Sequence, residues 1–222
     1  TIITMKRNKI IFIESPSDFK KLNLSSTADH GLVAFSNKLT PQLIIAAYEH
    51  GIFPWFNEDE PILWWSPNPR QILNINNLHT SRSLKKIIKK NIFKFNINNQ
   101  FNQVIDLCRI VKRKNQNGTW IDNRIIRAYS DLHQTGYAHS FELYDDNELI
   151  AGVYGLIIKN IFFGESMFHL KTNASKICFF YMCQFLKKQG IQIIDTQVES
   201  EHIKKWGGTL VTREEFLAII NS

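Results

Sequence analysis

Two polar residues near the end of the chain are out of place. Asp195 and Gln197 lie two apart in IQIIDTQV, whose alternation puts Ile191, Ile193, Asp195 and Gln197 on one side of a strand. A carboxylate and a carboxamide on an isoleucine-bearing face are costly in a core unless something bonds to them. Either they are hydrogen-bonded residues at a strand end, or they point into one cleft. In a cleft, such a pair positions an amine and holds a carbonyl. Glu165, in IFFGESMF, poses the same question, because a carboxylate inside an apolar strand needs a partner. An internal salt bridge and a bound ammonium group both answer it. Gly164 beside it permits close approach to the backbone.

The elements that position these residues are readable. Ala138–Tyr144, Leu149–Ile158 and Ile161–Phe168 are predicted strands, joined by turns at Asp145-Asp146-Asn147 and Lys159-Asn160. A helix follows over Ala174–Gln189, with Asn173 as N-cap and Gly190 at its exit, then a strand over Ile191–Val198. Antiparallel strands, a helix and a further strand make an α+β layout, similar to the core of acetyltransferase-like acyl-transfer domains. The helix is unusually apolar, with Ile177, Phe179, Phe180, Met182, Phe185 and Leu186. That is the composition of a core. It is also a surface from which Val153, Phe162, Phe179, Met182 and Leu186, with Gly164 at the edge, could shape a leucine-sized pocket.

Upstream, Gly51–Arg70 (GIFPWFNEDEPILWWSPNPR) holds three of the five tryptophans and four of the six prolines. Four prolines exclude an ordinary helix or a central strand. The rings suit either a small aromatic core under a loop or stacking on a planar ligand such as a nucleobase. Residues 1–65 read as a small mixed domain and 66–222 as a larger one. In the first, Ile10–Ile13 is a short strand, and a helix starts at Thr40-Pro41 and ends at Gly51.

The basic excess is local. Arg82–Lys114 contains ten Lys and Arg against one acid, Asp106, and the rest of the chain sums to −2 within a total of +7. That distribution fits a polyanionic partner. A helix from Ser81 or Ser83 buries Leu84, Ile87 and Ile88 and groups Lys85, Lys86, Lys89 and Lys90 on the other side. Further helices are predicted over Phe101–Lys112 and Asn123–Gln134.

At 222 residues and 44% hydrophobic, the chain can bury a sizeable core. No run approaches the ~18–20 apolar residues of a membrane helix, and the start does not read as a signal peptide. Three cysteines without CxxC spacing and seven histidines without a paired-ligand pattern give no disulfide framework, zinc site or other metal. A cytoplasmic setting is expected.

GIFPWF, ILWWSPNPR, HTSRSLKK, GTWI, GYAHSFELY, GVYG, FFGESMF, NASK and IIDTQV occur in this order. Together they resemble the leucyl/phenylalanyl-tRNA–protein transferases over roughly 85% of the chain, from about Gly31 onward. The resemblance implies transfer of leucine or phenylalanine, and methionine less readily, from aminoacyl-tRNA to proteins beginning with Arg or Lys, marking them for N-degron degradation, with no cofactor. It implies a small N-terminal domain on an acetyltransferase-like one. By motif position, Trp55 and Trp120 hold the terminal adenosine, and Arg82, Lys86, Lys89 and Lys90 contact acceptor-arm phosphates. Glu165, Asp195 and Gln197 line the reaction centre. The chain departs from the family pattern at Phe35-Ser36-Asn37-Lys38 and at Ser200. Two rival readings are a CoA-dependent N-acetyltransferase and a non-catalytic RNA-binding module. The first lacks glycine in His169–Lys176, where backbone amides would cradle a pyrophosphate. The second leaves the three polar residues without a purpose.

Overall fold

The computed structural model describes residues 10–28, 30–111 and 119–222. It divides into two compact units, 1–70 with 211–222 and 71–210. The sequence suggests one boundary near residue 65; in the structure the chain leaves the first unit once and returns to it at its end.

The first unit has strands β1 (Ile11–Phe12) and β2 (Leu32–Ser36), helix α1 (Pro41–Glu49), and strands β3 (Phe53–Pro54) and β4 (Ile62–Trp65). The four strands form one sheet in the order β1-β2-β4-β3. Thr40 caps α1 by accepting the Leu43 N–H, and Gly51 leaves the helix at φ 72°. Trp64 is fully buried, donates its indole N–H to Ser36 Oγ (3.0 Å) and meets Phe19 edge-on. The prolines thus frame a real core, and they do not exclude a central strand as the sequence suggests: β4 lies between β2 and β3, because Ile62–Trp65 itself contains no proline. The unit is closed by two buried arginines. Arg70 lies between the rings of Phe53 and Phe216, 4.7 and 4.6 Å from their centroids. Arg213 donates to the carbonyls of Ser66, Leu24, Thr27 and Ala28, hydrogen bonds that offset the cost of burying its charge.

The rest of the chain supplies β5 (Arg70–Asn74), α2 (Arg82–Lys89), β6 (Phe93–Ile97), α3 (Phe101–Ile110), α4 (Asn123–Gln134), β7 (Ala138–Asp145), β8 (Glu148–Ile158), β9 (Ile161–His169), α5 (Ala174–Lys188), β10 (Ile193–Gln197), α6 (Glu201–Lys204), β11 (Thr209–Val211) and α7 (Arg213–Ile220). A seven-stranded sheet runs β11-β5-β10-β9-β8-β7-β6. Its β9–β10 pair is parallel, while β5–β10, β6–β7, β7–β8 and β8–β9 are antiparallel. The α+β class expected from the sequence is therefore the observed one. Val153 belongs to the apolar cluster beneath α5, whereas neighbouring Gly152 faces Val104 of α3, so α3 and α5 cover opposite faces of the sheet.

The end of the predicted Phe101–Lys112 helix lies outside the described residues, as do Lys112, Arg113 and Lys114 of the basic segment. Glu142, fully buried, takes the backbone N–H groups of Asn99 and Gln100 and the Ser140 hydroxyl, and so anchors the start of α3 from β7. Asn173 does not cap α5 through its side chain. Its φ is 65°, and its Oδ1 accepts Lys176 Nζ at 3.2 Å instead.

The crossing of β8 and β9 is tight. A Cβ on Gly155 would collide with the carbonyl oxygen of Phe163 and come within 2.6 Å of the Phe162 ring, whereas a Cβ on Gly164 would meet its nearest atoms at 3.7 Å. We therefore expect Gly155→Ala to lose about 1–3 kcal/mol of stability, from forced backbone movement, while Gly164→Ala stays within about 0.5 kcal/mol of the parent. Urea unfolding of the two variants checks this, and equal midpoints would contradict it.

Candidate functional site

The three polar residues meet where two strands part. The parallel register of β9 and β10 runs Ile193–Ile161, Ile194–Phe162 and Asp195–Phe163, and ends there. Each strand then carries a bulge. On β9, Tyr154 pairs with Ser166 and Gly155 with Gly164, leaving Glu165 as the extra residue. On β10, Asp195 pairs with Ile72 and Gln197 with Gln71, leaving Thr196 as the extra residue. A bulge re-aims side chains and ends regular pairing.

This overturns the alternation expected from IQIIDTQV. Ile72 and Gln71 are consecutive on β5 and point to opposite faces, so their partners Asp195 and Gln197 do not share a face by the pleat. What joins them is local. Asp195 is fully buried, and its Oδ1 accepts the backbone N–H of Gln197 at 2.9 Å. Gln197 takes a left-handed φ of 61°, which costs a non-glycine residue about 1–2 kcal/mol and persists only where its surroundings hold it. The Gln197 carboxamide Nε2 then lies 3.4 Å from Glu165 Oε1, at the long end of hydrogen bonding. Glu165 is half-buried and Gln197 is 9% exposed. The sheet thus presents a carboxylate and a carboxamide side by side at the mouth of a strand fork, with a second carboxylate buried behind them.

Sequence reasoning did not single out Gln71 or Thr196. Gln71 is fully buried; its Oε1 accepts the Ser200 N–H at 2.9 Å, and its Nε2 donates to Ser200 O at 3.3 Å. The Thr196 hydroxyl donates to Gln71 O at 3.1 Å. The available signal is a glutamine directly before the apolar pair Ile72-Leu73, which needs a partner once buried.

Val153, Phe162, Phe179, Met182 and Leu186 are at most 3% exposed and belong to one apolar cluster between α5 and the sheet. Phe162 packs edge-on against Phe141, and Phe179 lies tilted against Trp206. Their place is a packed core, and Gly164 is half-buried at its edge.

The basic helix forms as its pattern requires. Ser81 caps α2 by accepting the Leu84 N–H, Leu84 is buried, and Arg82, Lys85, Lys86, Lys89 and Lys90 are exposed. None of these five forms an ion pair with another described residue. Trp55, in the first unit, is 47% exposed; its ring lies tilted 5.8 Å from that of Trp65, whose indole N–H donates to the Trp55 carbonyl. Trp120, in the second unit, is half-buried. Among the acids after Trp55, Glu60 is occupied with the Asn57 backbone and side chain. No group of three or more metal-ligating side chains occurs among the described residues, and no helix there is long and apolar enough to cross a membrane.

A family model described as leucyl/phenylalanyl-tRNA protein transferase matches residues 72–221, and that family's N-terminal domain model matches residues 37–68. A leucyl/phenylalanyl-tRNA--protein transferase of Hydrogenovibrio crunogenus is 47% identical over 205 residues, covering 92% of this chain and 80% of its own. One from Flavobacterium johnsoniae is 44% identical over 199 residues, covering 90% and 94%. Among solved structures, FemX aligns over 82% of this chain and 71% of its own, at 11% identity and a TM-score of 0.48.

Removing the Asp195 carboxylate leaves the buried Gln197 N–H without its acceptor. Asp195→Ala should lower stability by about 1–3 kcal/mol, read from urea unfolding. A parent-like midpoint would mean that this bond does not hold the bulge.

Proposed function

The chain belongs to the leucyl/phenylalanyl-tRNA protein transferase family and carries that transferase activity, with aminoacyl-tRNA as donor and a protein as acceptor, and on that premise we propose which residues do the work and which acceptors are used. The observation that carries the residue assignment is the meeting of Glu165 and Gln197 at two facing bulges.

The reaction joins the α-amine of the acceptor to the carbonyl carbon of the aminoacyl ester. A C–N bond forms, the C–O bond to the terminal ribose breaks, and the amine's proton leaves as the ribose hydroxyl regains one. The ester is already activated. A protein α-amine, with a pKa of roughly 7.7–8.0, supplies a useful neutral fraction near neutral pH. Orientation and charge stabilisation are then the main tasks. Gln197 meets both: its carboxamide oxygen accepts from the incoming amine and its Nε2 donates to the ester carbonyl as negative charge develops. The 3.4 Å contact to Glu165 is weak enough for a substrate to displace. Glu165 then seats an ammonium group. Asp195 works through Gln197 by fixing its backbone, and its complete burial fits that role better than proton acceptance.

Gly164 gives the aminoacyl group its approach to the apolar cluster beneath α5, since nothing within the protein crowds a Cβ there. Val153, Phe162, Phe179, Met182 and Leu186 back this seat and are apolar without exception, in keeping with leucine and phenylalanine. An apolar seat separates one methylene by only ~1–3 kcal/mol, so methionine leaks through. Trp55 and Trp120 each offer a ring for stacking on the terminal adenosine. Arg82, Lys86, Lys89 and Lys90 meet acceptor-arm phosphates, an assignment supported by their exposure and by their forming no ion pair with another described residue. The acceptors are proteins beginning with Arg or Lys, drawn by Glu165, and the product enters N-degron degradation in the cytoplasm.

Incubation with leucyl-tRNA and a peptide beginning with Arg should give leucyl-peptide, while acetyl-CoA gives no acetyl-peptide. Acetyl transfer would instead favour an acetyltransferase. Replacing Lys86, Lys89 and Lys90 by Ala should weaken tRNA binding and reduce the slope of log K against log salt by roughly 2–3. An unchanged slope removes α2 from the footprint.

A further inference from the structure

We propose that Gln71 and Thr196 are positioning residues for the transfer: together they hold the bulge that aims the Gln197 carboxamide at Glu165. The inference rests on the placement of Gln197 in the reaction centre and goes beyond it by naming what sets its geometry.

The β5–β10 ladder stops at Gln197 and Gln71. Beyond it, the segment to Ser200 has no strand to pair with, yet it follows a left-handed residue and must return to start α6. Gln71 takes over from the ladder. Its carboxamide meets the Ser200 backbone with both ends, accepting from N–H at 2.9 Å and donating to the carbonyl at 3.3 Å. On the near side, the Thr196 hydroxyl donates to the Gln71 carbonyl at 3.1 Å and lies 3.4 Å from its Oε1. One residue of β5 therefore grips the loop on both sides of Gln197, at Thr196 and at Ser200, while Asp195 holds the Gln197 N–H between them. With its N–H bonded and the loop held at Thr196 and Ser200, Gln197 has little freedom to rotate its backbone back to the extended form. A loose loop would let the carboxamide sample poses that miss the substrate, and a misplacement of about 1 Å can cost on the order of a hundredfold in rate. The grip on Ser200 uses only its backbone, so the departure from the family pattern at that position leaves the device intact.

A side chain that merely fills or stabilises the sheet would act independently of Gln197, whereas a positioning residue loses its effect once Gln197 has no carboxamide to aim. The test uses the full chain with leucyl-tRNA and a peptide beginning with Arg. Single-turnover rates and KM for leucyl-tRNA are measured for Gln71→Met, Thr196→Val and Thr196→Ser, each alone and in a Gln197→Ala background. Gln71→Met and Thr196→Val should each slow transfer by about tenfold or more with KM within about twofold of the parent. Thr196→Ser, which keeps the hydroxyl, should stay near the parent rate. In the Gln197→Ala background none should slow transfer further. The same fold-loss in both backgrounds, or a change in KM alone, overturns the proposal. If Gln71→Met loses its folded circular dichroism, Thr196→Val, which keeps the branched shape, carries the same comparison. A parent-like rate for Gln197→Ala alone would sink the reaction-centre assignment. A large loss there, not coupled to Gln71 or Thr196, would sink only the positioning.

Discussion

The parting of β9 and β10 after Phe163 and Asp195 is the constraint on which the site depends. Two parallel strands that stayed paired would bury their backbone groups in one another and leave no room between them. Here each strand inserts one extra residue at the fork, Glu165 on β9 and Thr196 on β10. Both insertions interrupt a ladder and would be a loss in an ordinary sheet. They are held by what surrounds them. Gly155 lets β8 lie close against Phe162 and Phe163 just before the β9 bulge. Asp195, Thr196 and Gln71 replace the lost ladder bonds of β10 with side-chain ones.

This division of labour explains why four polar residues sit in an apolar neighbourhood. Asp195 and Gln71 are wholly buried and bonded to backbone, so they cost little as polar groups and serve to fix shape. Glu165 and Gln197 retain some exposure and touch one another only at long range. The site is thus a rigid base with two adaptable tips, which suits a reaction whose donor is already activated and whose remaining requirement is orientation. The core under α5 backs this base, and the cationic face of α2 supplies long-range attraction for a polyanion at no cost to packing.

Local features were legible in the sequence and long-range ones were not. Thr40 and Ser81 cap helices as their positions suggest, because the capping bond spans only three residues. The strands from Ala138 to His169 form where the sequence places them, on either side of its two turns. Asn173 has the residue type of a cap but adopts a left-handed backbone, so its side chain finds Lys176 instead. The bulge at Thr196 was invisible because it depends on β5, 125 residues away in the chain. The rule that i and i+2 share a face presumes a regular ladder, and for that reason it misplaced Gln197 relative to Asp195. Apolar composition marked Val153, Phe162, Phe179, Met182 and Leu186 as a possible pocket surface without revealing that they are packed shut. The Thr212–Glu215 capping box that opens α7 is a further signal of this local kind.

In the proposed mechanism the Gln197 carboxamide acts on the transition state and not on tRNA affinity. Gln197→Glu is the sharpest probe, since it keeps the shape and removes the donor. Single-turnover transfer from leucyl-tRNA to a peptide beginning with Arg, measured beside the Kd for tRNA, should fall about a hundredfold while Kd stays within about twofold. A parent-like rate, or matching losses in rate and Kd, would contradict the claim.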